Sequence, residues 1–221
     1  MSSFIPLPFS NNYSDETMQN KAEEINALLQ KRRTVRDFSR QKVAKSVIEK
    51  CILAAGSAPS GAHMQPWHFV AISNPEIKSK IRQAAEIEEQ EFYQHRASEE
   101  WLKALEPLGT DTNKPFLERA PWLIAVFAER YGLDQDGKRF KHYYTPESVG
   151  IACGMLLTAL HASGLVTLTH TPSPMGFLKD ILKRPANERP YLLVVCGHPA
   201  ADAQVPDLKR KDLSQLASFF E

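Results

Sequence analysis

Three arginines stand close together near the start of the chain. Arg32, Arg33 and Arg36 fall where a predicted helix gives way to a loop. A guanidinium is planar, permanently charged and able to hold phosphate oxygens through paired hydrogen bonds, so this segment is suited to bind a phosphate. The alternative is structural, because basic residues at the end of a helix also match the helix dipole.

A glycine-bordered loop joins the second predicted helix to a strand. Gly56 and Gly61 have the glycine spacing of a Walker A loop, but Ala62 and His63 replace its lysine and hydroxyl residue. This difference argues against a nucleoside triphosphatase. The loop can still offer backbone amides and the Ser60 hydroxyl to a ligand. A plain tight connection would explain the same residues.

Two further groups of polar residues could meet a ligand. Glu89 and Tyr93 are four residues apart, so on a helix they point the same way. Together with Lys114 they would offer the anion, phenol and cation needed to hold an amino-acid zwitterion, although Glu89 also fits a solvated acidic run. The second group, Thr169-His170-Thr171, ends a predicted strand, where a rigid scaffold presents hydroxyls.

Hydrophobic spacing predicts the elements that position these residues. Helices are expected after the Ser14 cap, at about residues 45–55, from Pro75 onward, over residues 149–162 with Thr145 as N-cap, and near residues 177–183. Strands are expected at residues 67–72, 122–128, 165–169 and 191–196. Long helices mixed with short strands predict an α+β fold.

Two stretches of the chain have no strong helical or strand periodicity, and we predict irregular structure for them. Residues 101–119 are interrupted by prolines and a glycine, which is typical of a mobile cover. The tail after Gly197 has little helical pattern. We therefore expect a single domain over residues 1–221, with an N-terminal helical extension at 1–30, an active-site lid at 86–119 and a tail at 198–221.

Composition excludes several classes of protein. The chain has 221 residues, of which 43% are hydrophobic, enough for one sizeable core. Lys and Arg number 27 against 26 Asp and Glu, so nucleic acid is not expected as a partner. The three cysteines have neither paired nor metal-binding spacing, and no metal is expected. With no signal sequence or membrane-spanning run, we expect a cytoplasmic protein without a membrane partner.

Taken in order, these motifs resemble those of the nitroreductase superfamily and, within it, the iodotyrosine deiodinases. The resemblance rests on five segments of the chain. They are residues 32–36, residues 58–63 with Pro66-Trp67, residues 151–154, residues 164–167 and residues 205–211. It implies a nitroreductase-like α+β fold, with a short-stranded central sheet flanked by helices, and an intertwined homodimer with FMN sites at the subunit interface.

The resemblance also implies roles for individual residues. The FMN phosphate and ribityl chain would be held by Arg32, Arg33, Thr34, Arg36 and Arg210. Pro59, Ser60 and Gly61 would contact the flavin from the other side. Thr169, His170 and Thr171 would lie at the ring system, with the Thr171 hydroxyl at N5 as the catalytic contact.

A halotyrosine is the substrate that the resemblance implies. Glu89, Tyr93 and Lys114 would bind its ammonium and carboxylate, and the Ala62 amide would bind its phenolate. The implied activity is FMN-dependent reductive dehalogenation. Alternatives are a general NAD(P)H-dependent nitroreductase or quinone reductase, a flavin-fragmenting relative, or a non-catalytic flavin-binding sensor of tyrosine-like ligands. No G-x-G-x-x-G motif follows a predicted strand, so the sequence does not identify the electron donor.

Overall fold

The computed structural model describes residues 4–7 and 11–221. The chain divides into two compact units, residues 1–32 and residues 33–221. The predicted N-terminal extension includes residues 1–3 and 8–10, which lie outside the described residues. Its helix α1 (Asp15–Gln30) begins as predicted, because the Ser14 side chain accepts a hydrogen bond from the Thr17 amide.

A four-stranded antiparallel sheet forms the centre of the larger unit. Its strands in chain order are β1 (Trp67–Ile72), β2 (Trp122–Glu129), β5 (Val166–His170) and β6 (Glu188–Gly197). A separate two-stranded hairpin lies between them in sequence and consists of β3 (Tyr131–Leu133) and β4 (Arg139–Lys141). The spatial order of the main sheet is β1-β2-β6-β5. All four predicted strands are confirmed.

Helices pack against both faces of this sheet. They are α2 (Lys45–Gly56) and α6 (Thr145–Ala162) on one face, and α3 (Pro75–Glu91), α5 (Phe116–Arg119) and α7 (Gly176–Ile181) on the other. The short helices α4 (Glu99–Leu105) and α8 (Leu213–Leu216) contribute no residue to the core of the described chain. The predicted α+β class is confirmed. Helix α3 starts where predicted, because the Asn74 side chain accepts hydrogen bonds from two first-turn amides and Pro75 has no N–H that would need an acceptor.

Strand β2 is buried on both faces and divides the core in two. Leu123, Ala125 and Phe127 pack with α3, α5 and α7 on one side. Residues of opposite parity, such as Ile124 and Val126, pack with α2 and α6 on the other side. Because side chains alternate along a strand, a continuous apolar run is the pattern expected of a doubly covered strand.

Two local predictions differ from the structure. Thr145 was expected to cap α6, but it already belongs to the helix, and Tyr144 enters it in a left-handed conformation with φ 52° and ψ 41°. The β3–β4 hairpin was not predicted, because its three-residue strands are too short to show an alternating pattern.

The segment predicted as a mobile cover is partly structured. It contains α4 and a 3₁₀ turn at Glu106–Leu108, and it ends in α5. Phe116 and Leu117 are buried members of the core. The end of this segment therefore belongs to the core, and the predicted mobile cover is restricted to the residues before it.

Helix α6 is nearly all apolar, and a helix of this composition is stable only when most of its sides are covered. One face packs against α2 and the sheet, but Ile151 is 46% exposed. On α2, Leu53 is 65% exposed. A single chain therefore leaves apolar surface uncovered here. Within the described residues, no helix has both the length and the hydropathy needed to cross a membrane.

Lys78 provides a test of how α3 is fixed to the core. Its buried ammonium donates hydrogen bonds to the carbonyls of Glu118 at 2.9 Å and Ala120 at 2.7 Å. Lys78→Met would leave both buried carbonyls without a hydrogen-bond donor. We therefore expect the free energy of unfolding, measured in urea titrations, to fall by about 1–3 kcal/mol. The exposed Lys80→Met on the same helix is the control, and equal stability of the two variants would contradict the argument.

Candidate functional site

A cavity of about 870 Å³ opens where the end of β5 meets the segment after α3. Its volume lies in the range of small-molecule binding sites. Seven residues that the sequence singled out line it. They are Arg36, Glu89, Tyr93, Lys114, Thr169, His170 and Thr171.

The arginine segment runs beside β5 as an extension of the sheet. Thr34 forms a parallel bridge with Thr167, and the Val35 amide donates to the Thr167 carbonyl at 3.1 Å. This pairing brings Arg36 to the cavity, next to the end of the strand. Burial lowers the pKa of the Arg36 guanidinium from its ordinary 12.5, while Tyr93 and Asp37 act in the opposite direction. The group remains a cation in a partly desolvated place.

The other predicted phosphate-binding residues of the larger unit lie outside the cavity lining. The Arg33 guanidinium donates to the Pro206 carbonyl, so the tail returns to the arginine segment. Within the described residues of the larger unit, Arg33, Thr34 and the exposed Arg210 are not among those that line the cavity. Arg32 is the last residue of the smaller unit.

The end of β5 presents hydroxyls and buries an imidazole. Thr169 and Thr171 are exposed, whereas His170 is 7% exposed and meets the Phe116 ring edge to face at 5.6 Å. Within the described residues, the buried His170 Nε2 has no hydrogen-bond partner. Burial, and then the charges of Lys114 and Arg36, lower the pKa of His170 to about 3. The imidazole is therefore neutral near pH 7.

A buried ion pair lies on one wall of the cavity. The Lys114 ammonium is 3.1 Å from Glu89 Oε2, and the two side chains are only 6% and 13% exposed. The Lys114 amide donates to Glu86 Oε1 at 2.7 Å, and its ammonium also donates to the Asp111 carbonyl. Removing either member would leave a charge in a desolvated place.

Tyr93 completes the predicted trio. The Lys114 ammonium lies 5.7 Å from the centroid of its ring. Its hydroxyl is 2.6 Å from the Thr110 hydroxyl. Sequence spacing had assumed a regular helix from Glu89 to Tyr93, but α3 ends at Glu91 and Tyr93 belongs to a π turn, Phe92–Arg96. The trio nevertheless faces one cavity.

Other lining residues were missed by sequence reasoning. Phe92 and Trp101 meet edge to face at 4.9 Å and form an aromatic wall. Large aromatic residues inside a charged, weakly periodic segment were the available signal. Thr110 and Tyr191 also line the cavity, but the sequence contains no signal for this, because only the folded chain brings them there.

The structure does not bring the glycine-bordered loop into this cavity. Among the described residues, Pro59, Ser60, Gly61 and Ala62 do not line it. The loop lies instead at the start of α6, where the Gly61 amide donates to the Ser148 hydroxyl at 3.3 Å. Two groups are available for a ligand. Ser60 Oγ accepts a hydrogen bond from the Gln65 amide at 2.9 Å, and its own O–H can still donate to a ligand. The Ala62 amide donates to no described residue.

Comparisons with known proteins agree on one family. The sequence profile of the Nitroreductase family matches residues 29–198. An iodotyrosine deiodinase of Haliscomenobacter hydrossis is 56% identical over 209 residues, covering 95% of this chain and 94% of that protein. Human iodotyrosine deiodinase 1 is 45% identical over 212 residues, covering 95% of this chain and 73% of that protein.

A solved structure resembles the chain as well. It is a crystal structure of oxidized iodotyrosine deiodinase bound to FMN and 3-iodo-L-tyrosine. Its TM-score to this chain is 0.74 at 29% sequence identity, covering 88% of this chain and 100% of that one.

The buried imidazole predicts how stability depends on pH. In the unfolded chain His170 takes up a proton at its ordinary pKa of 6.5, whereas in the folded chain its pKa is about 3. Between these values the unfolded state binds more protons, so stability should fall as the pH falls. We expect His170→Leu to flatten the decline in unfolding temperature between pH 6.5 and pH 4. The exposed His95→Leu should retain the parent slope, and equal slopes for all three proteins would contradict the assignment.

Proposed function

The chain belongs to the nitroreductase family, and we propose that it is an FMN-dependent reductive dehalogenase that removes halide from halotyrosines. The observation that carries this proposal is the buried Glu89–Lys114 pair, which faces the same cavity as Tyr93, Arg36 and Thr171. A general nitroreductase or quinone reductase has no need for a zwitterion clamp. The similarity to iodotyrosine deiodinases over 95% of the chain supports the same function.

The residues fit FMN by their chemistry. Arg36 supplies a fixed positive charge at the cavity, and the Arg33 contact with Pro206 brings the tail to the same segment. We assign the phosphate and ribityl chain to the residues named from the resemblance, which are Arg32, Arg33, Thr34, Arg36 and Arg210. A cavity of about 870 Å³ can hold a flavin ring.

Hydroxyls at the end of β5 would orient the ring system. Thr169 and Thr171 are exposed to the cavity, and we assign the Thr171 hydroxyl to flavin N5. His170 remains neutral beside them, so it adds no charge to the site near pH 7. When bound in its reduced form, FMN supplies the two electrons that, with a proton, replace a carbon–halogen bond by carbon–hydrogen and release halide.

The Glu89–Lys114 pair would open to admit the amino-acid end of the substrate. Glu89 would take the ammonium and Lys114 the carboxylate, so each buried charge keeps a partner of opposite sign. The Tyr93 hydroxyl is held by Thr110 and would add a hydrogen bond. Closure of the segment before Lys114 would exclude water and strengthen these interactions.

We assign the phenolate to the Ala62 amide, which is available for a new hydrogen bond. Pro59, Ser60 and Gly61 would contact the flavin from the same loop. Because this loop lies outside the cavity lining of its own chain, we propose that it reaches the site of a second subunit. Each site of a homodimer would then use both chains.

Exposed apolar surface supports the homodimer. Ile151 on α6 and Leu53 on α2 are large apolar residues at the surface of a single chain. In the tail, Phe219 is 71% and Phe220 99% exposed. Soluble monomers rarely leave extensive contiguous apolar patches uncovered, and a second copy would bury this surface.

An anaerobic reaction tests the function. Purified protein loaded with FMN is reduced with dithionite, freed of excess reductant and mixed with 3-iodotyrosine. We expect the flavin absorbance to return to the oxidised form, with one tyrosine and one iodide formed per flavin. Binding without reoxidation would identify a sensor. Reoxidation by a nitroarene or quinone but not by iodotyrosine would identify a general reductase.

Two substitutions test the clamp. Glu89→Gln and Lys114→Met each remove one charge, and we expect the Kd of iodotyrosine to rise roughly tenfold to a hundredfold, because hydrogen bonds to charged groups are lost. Flavin fluorescence titration gives both this Kd and that of FMN, which should stay unchanged. Glu91→Gln and Lys103→Met are matched exposed controls. Unchanged iodotyrosine affinity in both variants would remove the clamp.

A further inference from the structure

The loop that carries Ser60 and Ala62 has an unusual backbone. Ala62, His63 and Gln65 have φ values of 49°, 56° and 48°, in the left-handed region that residues other than glycine rarely adopt. Three such residues within four positions are costly, and they persist only where the surroundings hold them in place.

The start of α6 is the surface that holds this loop. A Cβ atom added to Gly61 would lie 2.6 Å from the Tyr143 carbonyl oxygen and 3.1 Å from the Tyr144 ring. Gly61 therefore packs directly on the backbone that leads into the helix. Only the absence of a side chain permits this approach.

Ser148 connects the two parts. Its hydroxyl accepts a hydrogen bond from the Gly61 amide at 3.3 Å and donates one to the Tyr144 carbonyl at 2.7 Å. The residue is 2% exposed, so water does not compete for these contacts. One buried hydroxyl thus fixes the loop and the left-handed entry to α6 together.

We propose that Ser148 is a positioning residue for the flavin-contacting loop, an inference that rests on the proposed function. By orienting the Gly61 amide it sets the direction of the next peptide, which carries the Ala62 amide. Ser148 itself touches neither cofactor nor substrate in this scheme. It acts through Gly61, and its loss should loosen the loop without unfolding α6.

The experiment compares Ser148→Ala with Thr158→Ala. Thr158 makes the same type of bond, from its hydroxyl to the carbonyl four residues earlier, on the exposed side of the same helix. Hydrogen exchange by mass spectrometry on the apoprotein should show faster exchange across residues 60–65 in Ser148→Ala only. The Kd of FMN should rise about tenfold in that variant, the scale of one lost buried hydrogen bond, with little change in unfolding temperature.

A second pair of variants keeps the proposal testable if Ser148→Ala folds poorly. Gly61→Ala should have the same effects, because its added methyl meets the Tyr143 carbonyl. Gly56→Ala, where an added methyl meets nothing within 4 Å, is its control.

The outcomes separate the inference from the function on which it rests. Unchanged exchange in Ser148→Ala, or faster exchange with unchanged FMN affinity, would overturn the positioning role. A parent protein that binds no FMN would overturn the proposed function, and the exchange measurement on the apoprotein would still decide whether Ser148 holds the loop.

Discussion

Pairing of strand β5 on both of its edges is the constraint on which the site depends. Strand β6 pairs along one edge, and Thr34 bridges to Thr167 on the other. This bridge brings a segment that is more than 130 positions away in sequence to the cavity. Arg36 and the hydroxyls that follow β5 therefore have fixed positions relative to the sheet, and a rigid arrangement of this kind is what a cofactor site requires.

The electrostatics of the cavity follow from burial. Burial, and then the nearby cations Lys114 and Arg36, lower the pKa of His170 and keep it neutral. Glu89 balances one of these charges through its contact with Lys114. The remaining positive charge favours an anionic ligand. Because solvent screens the cavity weakly, each charge interacts with a ligand more strongly than it would at the surface.

Sequence reasoning succeeded where local signals were strong. Strand β1 has the predicted bounds, because Pro66 precedes it and a polar turn ends it. It failed at Thr145, since the left-handed Tyr144 that displaces the expected cap depends on contacts with the distant Gly61. Thr110 and Tyr191 were missed because only the folded chain brings them to the cavity. The identity of Glu89, Tyr93 and Lys114 as a group needed the family resemblance, because spacing alone favoured a solvated acidic run around Glu89.

The internal pairing of Glu89 with Lys114 has a consequence for discrimination among ligands. A halogenated phenol without an amino-acid group would leave the pair closed and gain nothing from it. An amine or an acid alone would pair with only one member of the ion pair. The other member would be left as an unpaired charge in a buried position, which is costly. In the proposed clamp, only a molecule that carries both charges at a suitable separation would replace the internal contact without loss. The pocket would thus exclude simpler aromatic compounds by the free energy of opening, even where their rings fit.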